Sequence, residues 1–441
     1  MNPSEHVAHL PAPTYSARLL FGVLSKLRKG RLAVTSPEGV RRVFTGPEPG
    51  PSADLEIRDW KAVGRMVRAA EIGVAECWRD GLIATSDMTA LLRVCEANQQ
   101  ALEAVWYGNP VVAFLYRVAH WLRPNTKAGS RRNIHAHYDL GNDFYKLWLD
   151  PSMTYSAALF TPGADGSLER AQEAKYERML DELGVEAGHR VLEIGCGWGG
   201  FAEYAVRTRG CRWTGITISQ AQLDFARERI RRAGLEGRVE LRFQDYRDLD
   251  GQFDRIVSVE MIEAVGERWW PAYFAKLRDC LVPGGRAMIQ AITIDEAAFA
   301  KYRRTSDFIR EYIFPGGMLA SPERLARHGR DAGLAGREPF RFGLHYAETP
   351  RRWREAVDAR EREIKALGFD ERFLAIWRFY LHYCEVGFDA GRIDVVHLEM
   401  ERRAWGERSP RRRPSPQAAR AGSTSAADSV RMASASAIAT S

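Results

Sequence analysis

Several features are missing from this chain, and each absence narrows the kind of protein that it encodes. No uninterrupted apolar run approaches the ~20 residues needed to cross a bilayer, so no membrane-spanning helix is predicted. The first residues, MNPSEHVAHLPAP, lack the charged-then-apolar order of a secretory signal. The six cysteines are scattered, without a CxxC pair or a regular framework. Together these absences predict a cytoplasmic protein with reduced thiols.

Signals for nucleic-acid binding and metal binding are also missing. The formal net charge of +7 is compatible with nucleic acid and with anionic lipid alike. However, no basic stripe interleaved with aromatic residues and no Asp/Asn-Pro-Pro-Tyr motif occurs, so no nucleic-acid partner is expected. His135 and His137 are two positions apart without an obvious third ligand, so no metal is expected either.

The N-terminal part of the chain, residues 1–122, has the pattern of a small mixed α/β domain. The segment SARLLFGVLSKLRKGRL combines apolar residues at helical spacing with a basic group that follows closely: Leu20, Val23, Leu24 and Leu27, then Lys26, Arg28, Lys29 and Arg31. Such a basic amphipathic helix either lies on an anionic membrane or packs on its own domain. The runs VRRVF and ADLEIRD predict two strands separated by a turn at TGPEPGPS, and mainly helices follow from Trp60 to Leu122.

Residues 123–406 have a different pattern, in which apolar runs alternate with amphipathic helices. The strand-like runs are VLEIGCG, WTGITIS, VELRFQD, FDRIVSV and GGRAMIQAITI. This alternation predicts a parallel sheet with helices on both faces. Residues 407–441 are rich in Ser, Ala, Arg and Pro and have almost no aromatic content, which predicts a disordered tail.

The segment VLEIGCGWGGF carries the strongest cofactor signal. A buried strand leads into a turn with Gly195, Gly197 and Gly200, and glycines there let a ligand approach the backbone closely. This spacing also fits the dinucleotide fingerprint. Two details argue against a dinucleotide: Glu193 is placed to face a ligand's ammonium group, and the next strand ends at Thr217 without the ribose-binding acid.

Several long motifs in one order resemble class I S-adenosylmethionine-dependent methyltransferases, namely VLEIGCGWGG, GITISQAQ, FQDYRDL, FDRIVSVEMIEAVG and LVPGGRAMI. From about residue 40 to residue 400 the chain is similar to the cyclopropane fatty-acid synthase family, through HYDLGNDFYKLWLDPSMTYSAALF, FIREYIFPGGMLAS, HYAETPRRW and FYLHYCEVGF. The resemblance implies a Rossmann-like domain with a mostly parallel seven-stranded sheet, and S-adenosylmethionine as methyl donor. The cofactor-binding residues expected from the resemblance and from the position of Glu193 are Tyr155, Ser156, Glu193, Gly195, Gly197, Thr217, Gln222, Gln244, Asp245 and Tyr246.

The resemblance also implies a reaction: one-carbon transfer to the double bond of an unsaturated phospholipid acyl chain, which forms a cyclopropane ring through a carbocation. A bound bicarbonate would be the base, held by Glu263, Tyr346 and the backbone of Ile292. Two positions depart from the well-studied branch of the family, which has Cys at Ala157 and His at Gln290. Ala157 still offers its N–H and Gln290 still bonds an anion, but a glutamine cannot gain or lose a proton near neutral pH.

These departures leave the product open. If the cation migrates by hydride shift before proton loss, the chain becomes methylene- or methyl-branched instead of ring-containing. A lipid-binding protein with a decayed catalytic domain is a further alternative, against which the intact glycine turn argues. The resemblance implies unsaturated phospholipid as partner, peripheral association with the inner face of a membrane, and self-association as a homodimer. The aromatic residues expected to line an acyl channel are Phe308, Phe314, Trp377, Phe379 and Phe388.

Overall fold

The computed structural model describes residues 15–106, 140–161 and 166–403. The domain boundary between residues 122 and 123, the tail at 407–441, and His135 and His137 lie outside these ranges, so what was expected of them stays a prediction. No helix within the described ranges is long and apolar enough to span a membrane.

The N-terminal region is a small four-stranded sheet covered by helices. Its elements are α1 (Tyr15–Leu24), β1 (Lys29–Thr35), β2 (Arg41–Thr45), β3 (Glu48–Ile57), α2 (Lys61–Arg79), β4 (Ile83–Ala84), α3 (Met88–Ala97) and α4 (Gln99–Trp106). The strand order is β2-β1-β3-β4, in which β1 and β3 are parallel and the other neighbours are antiparallel.

The start of this region differs from the sequence-based expectation in two ways. Helix α1 ends at Leu24, and Lys29 and Arg31 lie on β1 instead of continuing a basic helix. The segment packs on its own domain, because its apolar residues are buried: Leu20, Val23, Leu24 and Leu27. The turn expected at TGPEPGPS is also wrong in extent, because β3 begins at Glu48. Pairing with β1 jumps from Glu48 to Ser52, so the two prolines between them lie in a bulge where no ladder bond is lost.

The larger region carries the second sheet. Its elements are α5 (Asn142–Lys146), α6 (Leu168–Leu183), β5 (Arg190–Ile194), α7 (Gly200–Arg209), β6 (Arg212–Thr217), α8 (Gln220–Arg232), β7 (Val239–Phe243), β8 (Phe253–Val259), α9 (Ile262–Val265), α10 (Trp270–Cys280), β9 (Leu281–Ile294), α11 (Glu296–Tyr302), α12 (Pro322–Asp331), β10 (Leu334–Gly336), β11 (Phe340–Arg341), α13 (Gly343–Ala359), α14 (Glu361–Ala366), α15 (Glu371–Asp389) and β12 (Ile393–Arg402). A π-helical turn spans Ile309–Ile313.

The strand order of this sheet is β10-β12-β9-β8-β5-β6-β7, with β11 paired to β12. Strands β9, β8, β5, β6 and β7 are parallel, whereas β12 is antiparallel to β9. The prediction of a mostly parallel, doubly covered sheet is confirmed, and β11 adds an eighth short strand. The order of the strands reverses at β5, and open α/β sheets bind ligands at such a point, outside the carboxyl ends of the strands.

The two regions share one hydrophobic core. Ile57 and Leu91 of the N-terminal region belong to the same buried cluster as Trp377 and Phe379 of α15. Helix α15 contacts both α2 and α3. The N-terminal region therefore forms part of the wall around the larger region's ligand-binding end.

Candidate active site

A cavity of about 440 Å³ lies at the carboxyl ends of the parallel strands. Its lining includes the residues that follow β5, β6, β7, β8 and β9, because the carboxyl ends of parallel strands meet at one edge of a sheet. All ten residues expected to bind the cofactor line it, as do Glu263, Ile292 and Tyr346. Gln290 and Ala157 do not line it, and they lie directly behind its wall.

The turn between β5 and α7 has the backbone that its glycines allow. Gly195 and Gly197 adopt φ values of 88° and 50°, in the left-handed region that side chains disfavour. At Gly200, a Cβ atom would come within 2.4 Å of the Ser152 carbonyl oxygen. Gly200 is therefore required for close packing against Ser152, and all three glycines line the cavity.

Glu193 is the last residue but one of β5 and lines the cavity, and its side chain is almost fully buried. Its Oε2 accepts a hydrogen bond of 2.8 Å from the indole N–H of Trp213 on β6. Burial raises the pKa of Glu193 to about 8, against the lowering effect of that bond. An ammonium group placed in the cavity beside Glu193 would lower this pKa again, because it would favour the charged carboxylate.

The ends of β6 and β7 present further polar groups. The hydroxyl of Thr217 donates to Gln222 Oε1 at 3.0 Å, which ties the end of β6 to the first turn of α8. Asp245 is held by a bidentate ion pair with Arg247, at 2.8 and 2.7 Å. These groups line the same cavity as the glycine turn and Glu193, where they are available to hold a polar cofactor.

One carboxylate of the site, which sequence reasoning missed, is held by three different residues. Glu260 follows β8, and its carboxylate accepts three hydrogen bonds. Oε1 accepts from the backbone N–H of Ala157 at 2.8 Å and from the side-chain amide of Gln290 at 2.7 Å. Oε2 accepts from the hydroxyl of Tyr346 at 2.5 Å. Three of the five residues expected to carry the chemistry therefore converge on a protein carboxylate.

The backbone of Glu260 is held in an uncommon conformation. Its φ is 46°, which is rare for a residue other than glycine, and its own N–H bonds the Gln290 carbonyl oxygen at 2.9 Å. Such local strain persists where the surroundings determine it, and it is concentrated at functional sites. Here it directs the carboxylate at the cavity wall. Burial raises the pKa of Glu260, while the bonds from Tyr346, Ala157 and Gln290 lower it.

Glu263 lies beside Glu260 and has a different environment. Its Oε1 accepts from the backbone N–H of Ile292 at 2.5 Å, so these two predicted residues do meet. Its Oε2 is buried and has no hydrogen-bond partner among the described residues. Burial, followed by the charge of Glu260, raises the pKa of Glu263 to about 8. Glu263 is therefore mainly a neutral acid when Glu260 is charged.

Gln290 is oriented by a residue on the neighbouring strand. Its Oε1 lies 2.9 Å from Nε2 of His397 on β12, a pairing that requires the histidine to donate. The amide N–H groups of Gln290 are thereby turned toward Glu260. Burial lowers the pKa of His397 well below its usual value, so the ring stays neutral.

Aromatic side chains form the other wall of the cavity. Tyr155 donates its hydroxyl to that of Tyr380 at 2.9 Å, and the ring of Tyr346 stacks on Phe388 with centroids 4.3 Å apart. Of the five aromatic residues expected in the acyl channel, Phe314 and Phe388 line the cavity. The other three are buried core residues of the shared hydrophobic cluster instead: Trp377 and Phe379 lie on α15, and Phe308 directly precedes the π-helical turn.

A signal for Glu260 is present in the sequence. The segment SVEMIEAVG has two glutamates three positions apart, directly after an apolar strand. Both are therefore at the ligand-binding edge, and the first is closer to the strand. The resemblance pointed to the second glutamate alone.

The sheet, the glycine turn and the cavity at the carboxyl ends define a Rossmann-like class I methyltransferase. A family model described as "Mycolic acid cyclopropane synthetase" matches residues 125–398. This chain belongs to that family and is an S-adenosylmethionine-dependent methyltransferase.

Individual relatives extend the comparison. The chain is 41% identical over 379 residues to the tuberculostearic acid methyltransferase UfaA1 of Mycobacterium tuberculosis, covering 81% of this chain and 85% of that one. It is 33% identical to a probable fatty acid methyltransferase of Pseudomonas putida, covering 79% and 87%. It is 38% identical to the cyclopropane-fatty-acyl-phospholipid synthase of Escherichia coli, covering 60% and 66%.

Solved structures show the same fold. The cyclopropane synthase MmaA2 of Mycobacterium tuberculosis superposes with a TM-score of 0.58 at 28% identity, covering 62% of this chain and 98% of that one. The mycolic acid cyclopropane synthase CmaA1, complexed with SAH and CTAB, gives 0.56 at 29% identity, with the same coverage.

Proposed function

We propose that this chain methylates the double bond of an unsaturated acyl chain, and that Glu260 is the base that completes the reaction. The observation that carries this proposal is the position of the Glu260 carboxylate. It lies in the cavity wall and is held by Ala157, Gln290 and Tyr346. A half-buried carboxylate whose pKa is raised is a stronger base than one in water, and these three donors fix its direction.

The shape of the cavity supports an acyl substrate. From the glycine turn it extends to the N-terminal region, where Val74, Leu92 and Cys95 line it. Between these ends it is lined by Phe314, Val386 and Phe388. An apolar passage of this kind suits a hydrocarbon chain, and relatives named for fatty-acid and fatty-acyl-phospholipid substrates agree with it. Phospholipid as the acyl carrier, docking at a membrane surface and a homodimer are further parts of this proposal.

The reaction requires an alkene and an electrophilic methyl group to meet in a dry pocket. S-adenosylmethionine, when bound, supplies that methyl group. The π electrons of the alkene form the new carbon–carbon bond, the carbon–sulfur bond breaks toward sulfur, and the neighbouring alkene carbon becomes a cation. The faces of Tyr155, Tyr346 and Trp353 line the cavity and stabilise that cation, by about 1–2 kcal/mol for each desolvated face.

Proton removal completes the reaction, and Glu260 is placed to perform it. The carboxylate accepts a proton from the transferred methyl group. The electron pair of that C–H bond then closes a ring onto the cation. Alternatively, a hydride shift first moves the cation to the carbon that bears the methyl group, and the electron pair then forms a C=CH₂ double bond. Tyr346, Ala157 and Gln290 keep the carboxylate fixed while its charge is neutralised.

The arrangement does not suit a bound bicarbonate. Of the groups considered for holding that ion, the Ala157 N–H, the Gln290 amide and the Tyr346 hydroxyl already donate to Glu260. The Ile292 N–H donates to Glu263. A second anion there would lie against two glutamates with its donors already engaged. Bicarbonate therefore has no part in the reaction proposed here.

For the product, we propose a methylene-branched chain, because proton loss from the transferred methyl group after a hydride shift leaves a C=CH₂ group on the chain. The relatives that match along about four-fifths of this chain are named methyltransferases, while the cyclopropane synthase of Escherichia coli matches 60% of it. Ring formation is the second candidate, and the family model's description favours it.

The test is mass spectrometry of lipids from a host that expresses this chain and is fed methyl-labelled methionine. Labelled acyl chains that gain one CH₂ are expected, and chemical trapping of double bonds separates the products. A C=CH₂ double bond on the labelled chain identifies the methylene-branched product, whereas a ring without a double bond identifies cyclopropanation. Absence of label from every lipid, despite cofactor binding, would overturn the acyl substrate.

The role of Glu260 is tested in the same host. Glu260→Gln is expected to bind the cofactor and to yield no labelled lipid. The matched control is Glu267→Gln, which removes the charge of a nearby glutamate that pairs with Arg303 and does not line the cavity. Normal labelling by Glu260→Gln would overturn Glu260 as the base.

A further inference from the structure

Lys175 is a buried cation behind the active site, and the reaction described above does not use it. It lies on α6 and has no exposed surface. Its Nζ donates to the hydroxyl of Ser156 at 2.7 Å. A lysine rarely loses all contact with water, because burying its charge is costly unless nearby groups compensate.

The groups that compensate Lys175 are those of the active site. The carboxylates that act on its charge are Glu260, which is the proposed base, Asp150, and Glu193, which lines the cavity. In turn, the charge of Lys175 lowers the pKa of Glu260 and of Glu193. The other groups that act on Glu260 are Tyr346, Ala157 and Gln290, and Glu260 itself acts on Glu263.

Lys175 also holds the segment that bonds the base. Gln172, one turn earlier on α6, donates to the Ser156 carbonyl oxygen at 2.9 Å. Ala157, the next residue along the chain, donates its N–H to Glu260 at 2.8 Å. Gln172 and Glu260 thus bond opposite ends of the same peptide group, and such chained bonds strengthen one another. Lys175 holds the side-chain hydroxyl of the same Ser156.

We propose that Lys175 is a positioning residue for catalysis, which anchors Ser156 and supplies the positive charge that keeps Glu260 ionised. This inference rests on the proposed function, in which Glu260 is the base. Lys175 is not among the residues that line the cavity, so it acts through Glu260 and does not touch the substrate.

The sign of the effect follows from the charges. Burial lowers the pKa of Lys175 to about 7, so the ammonium form prevails below that pH. Below that pH the charge of Lys175 opposes the effect of burial, which raises the pKa of Glu260. Removing the cation raises the pKa of Glu260, and the base is then ionised only at higher pH.

The experiment measures single-turnover methyl transfer to an unsaturated phospholipid at saturating S-adenosylmethionine. It compares the pH dependence of this rate in wild type, Lys175→Met and Gln172→Met. Lys175→Met keeps an unbranched side chain and removes the charge. It is expected to move the acidic limb of the profile upward by about 1 pH unit. Gln172→Met removes a neighbouring bond to Ser156 without removing a charge, so it is expected to lower the rate without moving the limb. Lys175→Gln, which retains a donor for Ser156, serves if Lys175→Met does not fold.

The outcomes separate this inference from the proposed function. If Glu260→Gln is inactive and both Lys175 variants move the limb, Lys175 has the role inferred. If Glu260→Gln is inactive but the limb stays in place in the Lys175 variants, or moves equally in Gln172→Met, Lys175 is structural and the inference is overturned. A fully active Glu260→Gln overturns the base assignment itself.

Discussion

The hydroxyl of Tyr346 lies 2.5 Å from Oε2 of Glu260, and this bond joins α13 to the end of β8. Tyr346 is buried and Glu260 is half-buried, at the place where the aromatic wall of the cavity meets the carboxylates. Burial and the charge of Glu260 hold the pKa of Tyr346 well above its usual value, so the hydroxyl stays protonated. Tyr346 is therefore a permanent donor to Glu260.

Removing this donor is expected to slow the reaction. Tyr346→Phe is expected to reduce turnover roughly 10- to 100-fold, because a hydrogen bond to a charged group contributes about 1.5–3 kcal/mol. It also raises the pKa of Glu260, so the acidic limb of the rate profile moves to higher pH. The measurement is labelled-lipid formation as a function of pH.

Tyr204→Phe is the matched control for this prediction. The Tyr204 hydroxyl donates to Glu177 at 2.7 Å, and neither residue lines the cavity. This control is expected to retain wild-type turnover. Equal losses in both variants would show that the Tyr346 hydroxyl acts through general stability and not through Glu260.

Glu263 is expected to make the stability of the protein pH-dependent. Its folded-state pKa of about 8 is above the ordinary value of 4.5, so its contribution to stability is fully present below pH 4.5 and is lost as pH rises through 8. Glu263→Gln keeps an acceptor for the Ile292 N–H and has no proton to lose. The melting temperature of this variant minus that of wild type is expected to increase as the pH rises from 5 to 8. A constant difference across that range would contradict the raised pKa.

The parts of the site that the sequence predicted are those encoded within one short segment. The glycine turn after β5 needs only local spacing, since its left-handed backbone belongs to Gly195 and Gly197 themselves. The residues that end β6 and β7 followed from the rule that parallel strands share a carboxyl edge. Tyr155, Ser156 and Gln222 were expected from the family resemblance instead, and all ten predicted residues line one cavity.

The parts that were missed depend on pairs distant in sequence. Glu260 bonds Ala157 and Tyr346, which are 103 and 86 residues away. Spacing cannot reveal which glutamate of SVEMIEAVG receives those donors, because the choice depends on a positive φ at Glu260 that no glycine announces. The end of α1 was missed for another reason: burial of its leucines against the sheet determines where the helix stops.

Trp213 is expected to support cofactor binding through Glu193. Its indole N–H donates to Glu193 at 2.8 Å, and both groups are buried. Trp213→Phe removes this donor, which raises the pKa of Glu193 further and reduces its negative charge at neutral pH. We expect cofactor affinity to fall about 10-fold, in line with a lost bond to a charged group. Isothermal titration with S-adenosylmethionine measures this change.

Trp270→Phe is the control, because Trp270 is also fully buried and its indole N–H has no partner among the described residues. It tests the cost of replacing a buried tryptophan alone. Affinity is expected to be unchanged in this variant. A similar loss of affinity in both would assign the effect to core packing.

Glu385 is expected to be the main polar link between the N-terminal region and the C-terminal helices. It is buried on α15 and accepts bonds from Arg93 of α3 and from Arg351 and Arg354 of α13, at 3.4, 3.2 and 3.4 Å. The three arginines retain partial exposure, with 20–39% of each side chain accessible. Their desolvation is therefore incomplete, and the cost of removing Glu385 is below the ~3–5 kcal/mol of a fully buried pair.

Glu385→Gln is accordingly expected to lower the free energy of unfolding by about 2 kcal/mol, measured by urea denaturation. Glu363→Gln is the control, because its pair with Arg360 is exposed and such pairs contribute roughly 0–1 kcal/mol. Loss of the link should also make the boundary between α3 and α15 more accessible to limited proteolysis. Equal stability of the two variants would mean that the shared hydrophobic core alone joins the two regions. The arginines around Glu385 would then be solvated by water about as favourably as they are bonded by the carboxylate.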